Sequence, residues 1–349
     1  MSDRIDNHSP RITPEVSSRW LPGLDLLRAV WIFFVLCMHA NLTQIASIHG
    51  GAGDQADLFD AVRFHLLCAA VPGFLIMSCF LQARKHLSGW SEHKNHLMDL
   101  CYLYAFWVGL WVLLTRSRPE MSPLGIVEFG MRGGGWAYYY FFVLIFVHGI
   151  AALTNKATNA LVWWCLAISA GIVLIAFWMM SADAFAWTRI PTYWWPMAFL
   201  PTAFIGILLA RYEPQLRASP TRTRRWAVVG LVVLGLLCLL EWRWAAPRVS
   251  GELREFLPEY LRLSPTLLAT LFMVGALFLG QFHAVIRYVA RNSLGIFCLH
   301  VFFLGGIGKL MARFIPDPLW AGVVCVIVTM IAASILTELL RFVMKARLI

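Results

Sequence analysis

The hydrophobic pattern of this chain is a series of long apolar runs separated by charged or Pro/Gly-rich joints. Each run is long enough to cross a bilayer as a helix, which takes about 20 apolar residues. The runs are continuous rather than alternating, and a segment in lipid must satisfy its own backbone polar groups, so the pattern predicts helices and excludes a transmembrane barrel. Ten spans are predicted, at residues 22–43, 60–82, 97–115, 137–154, 160–180, 194–211, 226–244, 264–282, 293–313 and 318–341.

Composition agrees with this pattern and defines the fold class. Of the 349 residues, 60% are hydrophobic and only 14% are charged, which is too apolar for a soluble domain. We therefore predict an all-α, polytopic bundle of transmembrane helices. The polar segment 1–19 is expected to be a disordered cytoplasmic tail, and residues 20–345 are expected to form one ten-helix membrane domain.

The net charge of +10 bears on two points, the orientation of the protein in the membrane and the class of its partners. The basic residues lie at the ends of the apolar runs rather than in one patch, so we expect membrane lipid around the protein and no nucleic-acid partner. An even number of spans leaves both termini on one side. Lys and Arg are more numerous in the flanks on that side, which predicts cytoplasmic termini.

The first span carries three ionisable residues, Asp25, Arg28 and His39, within its stretch 24–41. Such groups cost several kcal/mol in lipid, so they face partners or water and usually mark a functional site. Arg28 and His39 lie 11 positions apart, which returns to within roughly 20° on a helix, about 16 Å further along the axis. The simpler alternative is an Asp25–Arg28 ion pair at the end of the helix together with a structural histidine.

Three further intramembrane residues are candidates for binding a substrate. Arg63 and His65 enter the second span near the depth of His39, but they lie 200° apart on a helix and cannot both face one cavity. His300 is placed two turns into the ninth span, in its cytoplasmic half, with Asn292 or Ser293 as the N-cap. A histidine at the membrane interface is the alternative for His65.

Two groups outside the spans add weaker hypotheses. Trp136 follows a run of three glycines and could stack on a sugar ring, although an ordinary aromatic belt explains it equally well. Arg84, Lys85 and Lys94 flank the first cytoplasmic loop and could hold the phosphates of a cytosolic ligand, although positive-inside topology already requires such charge. The eight cysteines have no metal-ligand spacing, so no metal site is expected.

One stretch resembles a known family. LDLLRAVWIFFVLCMHA is similar to the first helix of the acyltransferase-3 family of integral membrane acyltransferases, whose hallmark is a basic residue, ten intervening residues and a histidine. Arg28 and His39 have that spacing. Weaker similarities follow in order at residues 72–81, 135–146 and 292–300. Many members carry Arg-x-x-Arg in the first cytoplasmic loop, where this chain has Arg84-Lys85 instead.

The resemblance implies a membrane-bound O-acyltransferase of the bacterial cytoplasmic (inner) membrane. Acetyl is the first expected acyl group, acyl-coenzyme A the cytosolic donor substrate, and a hydroxyl of a cell-envelope glycan the acceptor. No permanently bound cofactor is expected. Imidazole titrates near neutrality and suits proton removal from an alcohol, so His39 is expected to be the general base or a transient acyl acceptor. Arg28 would then hold the donor, and Asp25 would orient Arg28.

Two other classes of function remain open from the sequence. A transporter or exporter of a glycan or lipid precursor could use Asp25, Arg28 and His39 as a polar relay. The sequence shows no pair of broken helices, which argues against a transporter. A non-catalytic membrane subunit of an envelope assembly would use the same residues only for packing. The sequence predicts no particular oligomeric state.

Overall fold

The computed structural model describes seven stretches of the chain, residues 21–40, 62–85, 90–134, 138–181, 194–245, 260–280 and 282–344. Within them the chain is 87% helical and has no strand. This confirms the all-α prediction. The predicted tail 1–19 lies outside the described residues.

The described residues form eleven α-helices. In chain order they are α1 (Pro22–His39), α2 (Ala70–Arg84), α3 (Trp90–Thr115), α4 (Pro123–Met131), α5 (Tyr139–Thr154), α6 (Asn159–Ser181), α7 (Leu200–Ala218), α8 (Pro220–Ala245), α9 (Leu263–Ala276), α10 (Ala284–Phe314) and α11 (Pro318–Met344). A π-helical turn, Val62–Leu66, and a 3-10 turn, Leu67–Ala69, lead into α2.

All of these helices except the short α4 fall on a predicted span. Among the described residues, seven helical segments are long and apolar enough to cross a membrane, and α5 and α9 are shorter apolar helices. The protein is therefore a multi-pass membrane protein of helical architecture. The exact number of spans and the side on which the termini lie remain predictions.

The predicted start of the ninth span is wrong. That span is part of α10, which begins at Ala284, where the His283 side chain accepts a hydrogen bond from the Val285 N–H at 3.3 Å. Neither Gly nor Pro stands between Ala284 and Asn292, so nothing stops the helix earlier. Asn292 is an interior residue of the helix and not its cap. His300 consequently lies about four turns from the helix start instead of two.

Helices α1 and α2 form the centre of the bundle. The Trp31 side chain is fully buried, and a Cβ added at Gly73 would lie only 2.5 Å from its ring, so glycine is needed for this close approach. In the helical segment Val62–Arg84, which ends in α2, 72% of the most apolar stretch is buried, whereas in α8 the corresponding share is 6%. Because the exposed face of α8 is rich in Leu, Val and Trp, it is suited to contact lipid rather than water.

Small residues join α2 to α7. A Cβ added at Gly206 would approach the Cβ of Cys79 to 2.6 Å, so the two helices pack at their closest with glycine opposite cysteine. Small residues at a contact between helices allow such a close approach. Ser78, the neighbour of Cys79, has a different environment, described below.

Two of the three glycines before Trp136 have a structural role. Gly133 and Gly134 adopt positive φ, and their N–H groups donate to the carbonyls of Gly130 and Phe129 at the end of α4. They therefore satisfy the last carbonyls of that helix. Trp136 itself lies outside the described residues.

Candidate active site

Helix α1 presents the predicted charged stripe to the bundle interior. Its apolar positions, among them Leu24, Leu27 and Trp31, are buried against neighbouring helices. Between these positions the Arg28 guanidinium lies 3.9 Å from the Asp25 carboxylate, with 35% and 16% of the two side chains exposed. The Asp25–Arg28 pair is therefore formed, but Arg28 keeps an exposed face.

That exposed face of Arg28 lines a cavity of about 360 Å³ between α1, α2, α3, α5, α10 and α11. Among the described residues, the charged side chains that line it are Arg28, Arg291 and Arg341, and hydroxyls are supplied by Ser78, Ser293 and Tyr140. The rest of the lining is mostly apolar. We call this space the arginine cavity. A mainly apolar pocket with a few convergent cations is suited to a long ligand with an anionic end.

The carboxylate of Glu338 holds the other two arginines of the cavity, Arg291 and Arg341. Arg291 donates to Glu338, and the Arg341 guanidinium lies 3.5 Å from the same carboxylate. Asn292 connects the two, because its side chain donates to Glu338 at 3.0 Å and accepts from Arg341 at 2.7 Å. Glu338 and Arg341 are three positions apart in sequence, so this pair lies on one face of α11. The network fixes two cations of α10 and α11 beside Arg28.

At the other end of α1, His39 faces His300 of α10. The centroids of the two imidazole rings lie 5.0 Å apart, and the ring planes are inclined by 39°. The sequence named both histidines but placed His300 at the cytoplasmic depth. Because α10 begins earlier than predicted, His300 is raised to the level of His39.

His300 has one occupied and one open ring nitrogen. Its side chain is fully buried, and Nδ1 lies 2.5 Å from the carbonyl oxygen of Phe297. A carbonyl only accepts, so Nδ1 carries the hydrogen. In the neutral ring Nε2 then holds a lone pair, and among the described residues Nε2 has no hydrogen-bond partner. This leaves a buried acceptor beside His39.

Aromatic side chains separate the histidine pair from the arginine cavity. Phe297 lines the cavity, and its ring centroid lies 5.7 Å from that of His300. Tyr140, which also lines the cavity, packs against Phe297 at 4.9 Å. The cations and the imidazoles are therefore successive levels along the same helices, with an aromatic layer between them.

A family model described as an acyltransferase domain matches residues 21–339, which is nearly the whole chain. The chain belongs to the acyltransferase-3 family. No curated protein and no solved structure matches the chain.

This acyltransferase brings Arg63 but not His65 to the histidine pair. Arg63 lies close enough to His39 for their charges to interact. His65 turns the other way and bonds through Nδ1 to the Ser264 hydroxyl at 3.2 Å. The prediction that the two cannot share one cavity agrees with this arrangement, although the local backbone is a π-helical turn rather than an α-helix.

The partner of His65 belongs to a second polar group, which we call the Glu241 cluster: His65, Glu241, Arg262 and Ser264. Glu241 and Arg262 are both buried, and their charged groups lie 3.8 Å apart. The Ser264 backbone N–H and hydroxyl both donate to Glu241, and Arg262 donates to the Phe64 carbonyl at 2.5 Å. The cluster joins α8 and α9 to the turn before α2.

The acyltransferase places the predicted phosphate-binding residues at the end of α2 and the start of α3. The Arg84 guanidinium lies 3.0 Å from buried Glu213 of α7. Lys85 and Lys94 are exposed. None of the three is among the residues that line the arginine cavity. Any contact that they make with the donor would therefore lie outside the cavity.

Sequence reasoning missed a second histidine site. His148 of α5 is buried and bonds to Ser78 at 2.7 Å and to His96 at 3.1 Å. An ionisable residue in the apolar run YYFFVLIFVHGI was a signal that could have found His148. Its two partners come from α2 and α3, far away in sequence, and no local pattern predicts them.

Proposed function

We propose that the protein transfers an acetyl group from cytosolic acetyl-coenzyme A to a hydroxyl of a cell-envelope glycan in the bacterial cytoplasmic membrane. Family membership supports acyl transfer. The observation that carries the finer proposal is the arrangement along α1, where Arg28 lines the arginine cavity and His39 pairs with His300 one level beyond it.

The donor enters the arginine cavity from the cytosolic end. A volume of about 360 Å³ is at the lower end for ligand pockets, and coenzyme A is larger than an ordinary drug-sized ligand. The cavity therefore takes the thioester and the apolar part of the coenzyme A chain next to it. The anionic nucleotide remains at the cationic mouth, where Arg291 and Arg341 lie, with Lys85 and Lys94 on the adjoining surface.

The acceptor meets the acyl group at the histidine pair. As the acceptor oxygen attacks the carbonyl carbon, His39 removes the hydroxyl proton. The bond from that carbon to its leaving group then breaks, and the leaving group takes up one proton, so no net charge is created. His300 cannot turn its bonded Nδ1 toward this site, but its Nε2 lone pair can accept a hydrogen bond from protonated His39. Positive Arg63 beside His39 is suited to orient a polyhydroxyl acceptor.

Mass spectrometry of envelope glycans and lipids tests this proposal. Cells with the gene are expected to carry an added acetyl mass that cells without the gene lack. Complementation with His39→Ala should insert protein but not restore the mass, whereas His283→Ala, an exposed histidine at the start of α10, should restore it. Unchanged glycans and lipids in the absence of the gene would contradict acyl transfer, and flux of a solute without acyl donor would favour a transporter.

A further inference from the structure

One of the two serines that line the arginine cavity, Ser78, is bonded to a buried histidine. Ser78 Oγ lies 2.7 Å from His148 Nε2, and Ser78 also lines the cavity. His148 is 2% exposed. A hydroxyl within hydrogen-bond reach of an imidazole that is itself oriented by a third group is the arrangement of an activated nucleophile.

The third group is His96 of α3. His148 Nδ1 lies 3.1 Å from His96 Nε2, and the ring centroids are 5.0 Å apart. If the Ser78 hydroxyl donates to Nε2 of neutral His148, then His148 Nδ1 carries its hydrogen and donates to His96. His96 is half-buried beside exposed Lys94 and Asn95. The three groups thus connect the cavity with the end of the bundle that the charge pattern assigns to the cytoplasm.

The environment of Ser78 differs from that of two other helical serines, Ser169 and Ser334. Ser169 and Ser334 donate to carbonyls of their own helices, Leu166 at 2.9 Å and Met330 at 2.7 Å. That is the ordinary way for a serine to satisfy its hydroxyl inside a helix. Ser78 instead bonds to a side chain 70 positions away, at a cavity wall.

We propose that Ser78 is a nucleophile that takes the acyl group from the donor as a covalent ester before it reaches the acceptor. This inference rests on the proposed function. Ser78 Oγ attacks the thioester carbonyl carbon, a new C–O bond forms and the C–S bond breaks. The hydroxyl proton passes to His148 and then to the thiolate sulfur, so the products are acyl-Ser78 and free coenzyme A thiol.

The same cavity supplies a group for the charge that develops on the carbonyl oxygen. Arg28 lines it from α1 with 35% of its side chain exposed. A fixed cation at a developing oxyanion stabilises the transition state. In the second half-reaction the acceptor hydroxyl attacks the ester carbonyl, a new C–O bond to the acceptor forms and the C–O bond to Ser78 breaks. The proton that leaves the acceptor hydroxyl is balanced by one proton delivered to Oγ through His148, so Ser78 regains its hydroxyl.

The test is direct capture of the ester. Purified full-length protein in lipid nanodiscs is mixed with isotope-labelled acetyl-coenzyme A without acceptor, quenched in acid, digested and sequenced by mass spectrometry. We expect the acetyl label on Ser78 in the wild type and in Ser169→Ala, and no label at position 78 in Ser78→Ala. Ser78→Cys should carry it as a thioester, which neutral hydroxylamine removes.

Variants of His148 and His96 add a kinetic readout. His148→Gln keeps an acceptor for the Ser78 hydroxyl but cannot take its proton, so acylation should slow by about 10²–10⁴-fold. His96 is a positioning residue, and His96→Gln should lower the acylation rate while leaving the donor concentration for half-maximal rate unchanged. A fall caused only by misfolding would change that concentration or the thermal stability as well.

The outcomes separate this inference from the proposed function. Label on His39 with none on Ser78, or turnover to acetylated glycan with full activity in Ser78→Ala, overturns the acyl-serine and leaves acyl transfer standing. Wild-type protein that neither carries label nor consumes acetyl-coenzyme A in the presence of envelope glycan overturns both.

Discussion

The arginine cavity and the Glu241 cluster are both polar groups inside an apolar bundle, but they are built differently. In the cavity three arginines line an open space of about 360 Å³. In the Glu241 cluster the buried carboxylate faces Arg262 at 3.8 Å and accepts two bonds from Ser264, while Arg262 also reaches a backbone carbonyl. Among the described residues, the three cavity arginines have two carboxylate partners, Asp25 and Glu338, which leaves one positive charge unbalanced, whereas Glu241 and Arg262 balance each other.

This difference separates function from structure among intramembrane charges. A buried charge whose partners are all protein groups acts chiefly through stability, since removing one partner leaves the other unpaired. A charge at the wall of a cavity retains capacity for a ligand. The two regions should therefore respond to substitution with different readouts, activity in one and stability in the other.

The largest expected effect is at the histidine pair above the cavity. His39→Ala should lower acyl transfer by about 10²–10⁴-fold, because proton removal from the acceptor is lost. Abundance in the membrane and the unfolding temperature should stay near wild type. Transfer assays with purified protein measure the first, and thermal unfolding in detergent measures the second. Wild-type transfer by folded His39→Ala would exclude His39 as the base.

Glu241→Ala should act through stability instead. It leaves Arg262 buried without its carboxylate, which costs about 3–5 kcal/mol. Lower abundance and a lower unfolding temperature are expected. The double variant Glu241→Ala, Arg262→Met is the matched control and should recover part of the loss, because no unpaired charge remains. If the single variant kept its stability and lost only transfer, the Glu241 cluster would belong to the functional site.

Arg28→Met should have an intermediate effect on activity. A hydrogen bond to a charged group contributes about 1.5–3 kcal/mol, so the KM for acetyl-coenzyme A should rise roughly 10- to 100-fold. The kcat should fall as well, because the cation at the developing oxyanion is lost. Isothermal titration with coenzyme A provides the binding readout. A fall in abundance with normal KM in the remaining protein would mean that the Asp25–Arg28 pair is only structural.

Lys94→Ala should have the smallest effect. Lys94 is exposed at the start of α3, where a contact with a donor phosphate is screened by water and salt and contributes about 0.2–1 kcal/mol. A change of a few-fold at most in KM is expected, and it should vanish at high salt. A loss as large as that of Arg28→Met would place the main donor anchor on the cytoplasmic loop rather than in the cavity.

The sequence could predict those features of the fold and the site that depend on local periodicity. The apolar runs set the helices, and the 11-residue interval on α1 set Arg28 and His39 on one stripe. The position of a residue along its helix could not be predicted from periodicity, because it depends on where the helix begins. The predicted start of α10 was too late, and this displaced His300 by about two turns.

Residues that meet only through packing could not be found in this way. Arg291 and Arg341 are among the basic residues at the ends of the apolar runs, which the sequence explains by membrane topology alone. They reach the cavity because α10 and α11 run side by side against α1. Ser78 and His148 are likewise brought together by the packing of α2 on α5, across 70 positions of sequence.

The most direct test of the account uses proteoliposomes that hold envelope glycan inside and receive labelled acetyl-coenzyme A outside, at the end of the protein that carries the arginine cavity. The account predicts that wild-type protein moves the acetyl label onto the enclosed glycan and releases free coenzyme A thiol outside, whereas His39→Ala does neither. Wild-type protein that leaves acetyl-coenzyme A intact while glycan crosses the membrane would contradict it.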